Sequence, residues 1–239
     1  MNVHVFIPCF IDQLYPDAGF NTIKVLEKVG CTVHYNPKQT CCGQPAFNAG
    51  YWGEAKEVCN KFLEDFQDAE VIVVPSASCT GFVKNYYSKI YDNAPNQKEI
   101  KQFQSKVFEL SDFLINYLHI EDLGATFNGK VAYHDSCAAL RECNLKTEPK
   151  TLLSKVKGLE LVEIKENETC CGFGGTFSVK FEGISTAMGE QKVNHIVDTK
   201  ADYLVSTDLS CLMHLNGIIQ KKGHNIKSLH LADILASGY

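Results

Sequence analysis

Val3-His4-Val5-Phe6-Ile7 is a short run rich in β-branched and aromatic residues, and only Pro8 separates it from Cys9. It reads as a buried strand that delivers a thiol just past its carboxyl end. Phe20, Ile23, Leu26 and Val29 then recur at helical spacing until Gly30 supplies a C-cap, and Thr32 to Tyr35 follows as a second strand. Beyond the loop carrying Cys41-Cys42-Gly43, the positions Ala55, Val58, Cys59, Phe62, Leu63 and Phe66 fall on one face of a long amphipathic helix. Val71-Ile72-Val73-Val74 is a third strand, closed by Pro75 and followed by Cys79. Strand alternates with helix and a cysteine trails each strand, so the segment predicts a βαβ unit with right-handed crossovers.

The same order recurs downstream. Lys130 to Tyr133 precedes Cys137, Leu159 to Ile164 precedes Cys170-Cys171-Gly172, and Tyr203 to Ser206 precedes Cys211. The lone upstream cysteines are separated from their pairs by 31 and 32 intervening residues, and the downstream ones from the glycine by 35 and 38. Even the ends agree: Phe108 to Leu114 and Leu229 to Leu235 each read as a strand running into a short helix. The predicted fold is α/β, with two pseudo-repeat βαβ-type domains over 1–126 and 127–239 and a junction near Gly124 to Gly129. Each has a small parallel sheet with cysteines at the carboxyl ends of its strands, where open parallel sheets place their ligands. The polar stretch from Asn93 to Gln104, carrying Pro95, reads as a loop or insertion without a counterpart in the second half.

Of 239 residues, 45% are hydrophobic and 21% charged, with a net charge of -5, which gives no electrostatic case for nucleic acid. The N-terminus reads as a strand rather than a secretory signal, and no apolar run approaches the roughly 20 residues of a membrane span. A cytoplasmic location is expected. In a reducing cytosol, eleven cysteines point to metal ligation or redox chemistry rather than a disulfide framework.

Four thiolates from three loops can enclose a soft metal centre in each half: Cys9, Cys41, Cys42 and Cys79, then Cys137, Cys170, Cys171 and Cys211. Such a set selects an iron–sulfur cluster, zinc or copper(I), and a metal-free vicinal dithiol is a further alternative. The close Cys-x(2–4)-Cys knuckles of structural zinc are absent, and Gly43 and Gly172 let the backbone pass beside the paired thiols.

The frame Cys-x(31)-Cys-Cys-Gly-x(35)-Cys resembles the CCG, or cysteine-rich, domain of the cysteine-rich heterodisulfide reductase subunit and of related iron–sulfur proteins. Cys42 to Tyr51, Cys170 to Lys180 and Asp112-Phe113-Leu114 are similar to characteristic stretches of the lactate-utilisation protein A family. The resemblance implies an iron–sulfur electron-transfer subunit of a cytoplasmic complex that oxidises L-lactate to pyruvate, with iron–sulfur and small accessory subunits as partners. It implies one cluster per half, of the [4Fe–4S] type, on the eight cysteines. The alternatives are a cluster-dependent, heterodisulfide-type reductase subunit and a structural zinc scaffold. The CCG pattern ends in Cys-x-x-Cys, whereas here Ser76 and Asp208 stand where a fifth thiolate would fall, and Ala138 replaces a histidine common in relatives.

Among the remaining cysteines, Cys31 and Cys59 read as core fillers, and Cys143 as a packing thiol or a further ligand. Gly172-Phe173-Gly174-Gly175-Thr176 reads as a tight turn whose N–H groups can serve a cluster. His134-Asp135 reads as a satisfied strand-end pair, with proton relay as the alternative, and Arg141 as a charge facing a cluster or a carboxylate partner. Lys221-Lys222-Gly223-His224 reads as a helix C-terminus.

Overall fold

Alternating burial sorts the strand side chains onto two faces. In β1 (Asn2–Val5) and the residues just after it, Val3, Val5 and Ile7 enter one core and Phe6 another. A computed structural model describes residues 1–92, 95 and 97–239. β2 (Thr32–Tyr35) and β3 (Ile72–Val74) flank β1, and β4 (Val107–Glu109) pairs with β3, so the first sheet has the order β2-β1-β3-β4 with every pair parallel. The second sheet repeats it as β6-β5-β7-β8, from β5 (Thr126–Tyr133), β6 (Lys157–Val162), β7 (Tyr203–Ser206) and β8 (Lys227–His230). The pseudo-repeat α/β architecture is therefore as expected. Thr32 to Tyr35 and Tyr203 to Ser206 match their predicted strands residue for residue.

In the first half, the helices are α1 (Cys9–Leu14), α2 (Pro16–Lys28), α3 (Gln44–Ala49), α4 (Trp52–Asp65), α5 (Ala77–Ile90), α6 (Gln97–Gln104) and α7 (Leu110–Asp112). A π-helical turn, Phe113–Tyr117, continues α7. The second half adds α8 (Cys137–Arg141), α9 (Glu148–Ser154), α10 (Thr176–Lys180), α11 (Glu182–Asp198), α12 (Leu209–Lys221) and α13 (Leu231–Leu235). As predicted, α12 ends in lysine ahead of Gly223, whose positive φ of 75° turns the chain.

One core runs through both halves, joining Val3, Val5 and Val73 to Val131, Val205 and Leu212. A second lies within the first half around Phe6, Phe62, Phe66, Phe82 and Tyr87. Asn21 of α2 donates to Asp233 of α13 at 2.9 Å, and Asn85 of α5 donates to Glu142 just beyond α8, so helices of the two halves are tied as well as packed. Among the described residues no helix is long and apolar enough to cross a membrane.

Two expectations need correction. Gln97 to Gln104 is a helix, because Ile100 and Phe103 are buried on one face and the Gln104 amide donates to the Val83 and Lys84 carbonyls, both at 2.8 Å. Asn93, Ala94 and Asn96 of the same stretch lie outside the described residues. In α2 the buried face carries Ala18, Thr22, Val25 and Leu26, whereas Phe20 is exposed, since the shared core and α13 set which stripe turns inward.

Candidate metal centres

Each lone cysteine sits in the first turn of a helix that follows a strand. Cys9 opens α1, Cys137 opens α8, and Cys79 and Cys211 are the third residues of α5 and α12. Ser76 and Ser136 cap α5 and α8 by accepting from Cys79 N and Ala139 N. The paired cysteines arrive on tight turns beyond β2 and β6. Gly43 and Gly172 hold φ of 95° and 91°, and their N–H groups donate to Cys41 and Cys170 Sγ, each at 3.4 Å. Phe173 N donates to Cys171 Sγ at 3.5 Å. A side chain at Gly172 would place its Cβ 2.5 Å from the Ser185 carbonyl oxygen, so only glycine fits.

All eight predicted cysteines thus converge in two sets of four. Within each set the thiols contact one another in sequence, from Cys9 through Cys41 and Cys42 to Cys79, and from Cys137 through Cys170 and Cys171 to Cys211. Cys42 and Cys9 donate to the Cys41 sulfur, which with the neighbouring N–H groups holds its pKa at about 3. Cys137 and Cys171 do the same for Cys170, at about 2. The donors Cys9, Cys42, Cys137 and Cys171 are pushed up in turn, first by giving their protons to these bonds and then by burial. Each set is therefore a preassembled group of four thiols in mutual contact, a fit for a thiophilic metal or cluster.

Both sets face one cavity of about 500 Å³, whose walls include Phe10, Tyr86, Phe173 and the exposed Arg141. Among the described residues no carboxylate lies within ion-pair distance of Arg141, so of its two expected roles the structure favours the one facing the cavity. Ser76 and Asp208 do not point apart into two sites. The Asp208 carboxylate accepts from Ser76 Oγ at 3.2 Å, Ser78 N at 3.0 Å and Ser136 Oγ at 2.5 Å, bridging the halves beneath the cavity.

The chain matches the model of the CCG cysteine-rich domain twice, over residues 3–84 and 131–216. It is 44% identical to lactate utilization protein A of Halalkalibacterium halodurans, over 98% of this chain and 96% of that one. To lactate utilization protein A of Bacillus subtilis it is 40% identical, over 99% of this chain and the whole of the other. The chain belongs to the lactate utilization protein A family. The fold is also similar to that of a hypothetical protein from Helicobacter pylori, with a TM-score of 0.57 at 15% identity; all of this chain is covered, and it spans 49% of that one.

Three other cysteines have packing roles. Cys31 and Cys59 are buried in the cores, and the Cys59 thiol lies 3.8 Å from the Cys42 carbonyl. Cys143 packs with Ala77, Ala139 and Leu145 between α5 and α8 and donates to the Ala77 carbonyl at 3.3 Å. Cys143→Ala should therefore cost about 1 kcal/mol of stability and leave metal content unchanged. Denaturation and metal analysis of the variant check this, and lost metal would make Cys143 a ligand.

The expectation of a satisfied pair at His134-Asp135, with proton relay as its alternative, holds only for Asp135. Asp135 pairs with Lys150 at 2.8 Å and accepts from Asn167. His134 is fully buried with neither ring nitrogen bonded, and burial lowers its pKa to about 3. Lys192 of α11 is a further buried group beside the second set. It is 1% exposed, with its ammonium bonded to the Glu166 and Asn167 carbonyls and Thr169 Oγ1. The available signal was its spacing, since Ser185, Gly189, Lys192 and Ile196 share the buried face of α11.

Proposed function

We propose that the protein is the iron–sulfur electron-transfer subunit of a complex oxidising L-lactate to pyruvate, with one cluster of the [4Fe–4S] type per half. The observation that carries this reading is the pair of four-thiol pockets opening onto one cavity, in a chain of the lactate utilization protein A family. Cys9, Cys41, Cys42 and Cys79 would hold one cluster, and Cys137, Cys170, Cys171 and Cys211 the other. A bound cluster supplies one-electron storage at a tunable potential. The chain's residues supply N–H groups at Cys41, Cys170 and Cys171, the buried cation Lys192 beside the second set, and an apolar shell around Cys42 and Cys59.

Oxidation of lactate releases two electrons and two protons, and the chain carries no flavin or dinucleotide fingerprint for a hydride. That step belongs to a partner in this reading, with iron–sulfur and small accessory subunits completing a cytoplasmic complex. After anaerobic loading the isolated protein is expected to hold iron and sulfide in both halves, and not to oxidise lactate alone. With its partners present it should be reduced by lactate. Stoichiometric zinc without iron, or lactate oxidation by the lone chain, would overturn the proposal. The shared cavity favours one second reading, a disulfide reductase; turnover of a disulfide by the isolated chain would select it.

A further inference from the structure

The two thiol pockets rest on different floors. Setting Cys9 against Cys137 puts Phe6 opposite His134. The carbonyls of Ala55 and Ser185 approach Gly43 and Gly172 in the same way, which puts Phe62 of α4 opposite Lys192 of α11. In the first half Phe6 and Phe62 pack edge to face at 4.8 Å, an apolar base with no donor for a metal. In the second half both partners of that pair are replaced by nitrogen-bearing side chains, one an imidazole and the other an ammonium.

Their nitrogens are treated unequally. Lys192 Nζ is engaged by three oxygens, at 3.1, 2.6 and 3.3 Å, which use its three protons. Asp135 is turned to Lys150 and Asn167. The His134 backbone is locked, its N–H donating to Val205 O at 2.8 Å and its carbonyl accepting from Ser206 Oγ at 2.9 Å. Its imidazole is fully buried and unpartnered at both nitrogens, and a ligand atom of the ring lies within 4.8 Å of both Cys171 and Cys211 Sγ. Buried polar groups in native proteins have partners; the Lys192 ammonium near this ring is already saturated, and the thiols of Cys171 and Cys211 lie within a metal's reach of it.

We infer that His134 is a nitrogen ligand to the metal of the second pocket, which makes that centre a mixed sulfur–nitrogen site and leaves the first all-sulfur. The inference rests on the reading that this pocket holds iron. A strand-end histidine takes the part of a fifth protein donor in one half, while Phe6 denies it to the other. The two centres are then chemically distinct despite their matched cysteines, because a neutral imidazole donates less negative charge than a thiolate.

The test uses the full chain carrying Cys42→Ser, so that only the second pocket retains four thiols, loaded anaerobically with iron and sulfide and reduced with dithionite. Pulsed electron paramagnetic resonance on protein with natural and ¹⁵N-labelled histidine should show a strong nitrogen coupling that changes with the label. The coupling should be wholly lost in His134→Phe, which copies the residue at position 6. Should that variant fail to fold, His134→Cys should keep the iron and lose the coupling. Iron in the second pocket with only the weak couplings of backbone amides overturns His134 ligation and leaves the electron-transfer reading standing. Absence of iron from that pocket overturns both.

Discussion

Cys171→Ser is expected to remove the iron from the second half and leave the first loaded, cutting iron per chain to roughly half. Cys171 is 2% exposed and lies in the middle of its set, in contact with Cys170 on one side and Cys211 on the other. Serine offers a hard, protonated oxygen where a soft thiolate is needed and deprives Phe173 N–H of its sulfur acceptor. Cys42→Ser should empty the first half in the mirror experiment. The control is Cys59→Ser: this thiol is also fully buried, but it lies on α4 against the Cys42 carbonyl. Its loss should cost about 1–2 kcal/mol of stability and no iron. If Cys59→Ser bleaches the protein as fully as Cys42→Ser, the ligand assignment is wrong.

The second large effect concerns pH and lies away from the thiols. Glu109 ends β4 and caps α7, accepting from Ser111 N at 2.7 Å, from Asp112 N at 3.3 Å and from the Ser111 hydroxyl. It is fully buried, its second oxygen has no partner, and burial raises its pKa from 4.5 to about 7 against those three bonds. Between these values the unfolded chain has released the proton and the folded chain has kept it. Stability is thus fully present below pH 4.5 and is lost as pH rises through about 7, by about 3 kcal/mol in all. Glu109→Gln keeps the accepting oxygen and removes the titration. The variant should therefore gain on the parent protein by about that amount between pH 5 and pH 8.5 in anaerobic denaturant titrations. An equal difference at both pH values would exclude Glu109 as the titrating group.

Much of this was readable in the chain. The runs Thr32 to Tyr35 and Tyr203 to Ser206 are both bounded by turns; the second is buried and the first is a largely exposed edge strand, yet β-favouring residues between turn signals mark both. The gathering of the cysteines follows from parallel topology, since the ends of β1, β2 and β3 must lie on one edge. The inward face of α2 was less legible, because Phe20 and Leu26 are equally apolar and only contact with the shared core distinguishes them. The single cavity was hidden too, as spacing within each half says nothing about how the halves meet. His134 and Lys192 are conspicuous only beside Phe6 and Phe62, and that pairing needs the strand and helix positions of both halves.

The Asp208 bridge makes residues 76 and 208 a single epistatic unit. Serine at one and aspartate at the other share a hydrogen bond across the halves, so neither can drift alone: Ser76→Cys deprives a buried carboxylate of a donor, and Asp208→Cys frees Ser76, Ser78 and Ser136 at once. A lineage, or an engineer, seeking the fifth thiolate of the wider cysteine-rich domain must cross through a weakened intermediate or change both positions together. The identities of these two residues are thereby inherited as a pair.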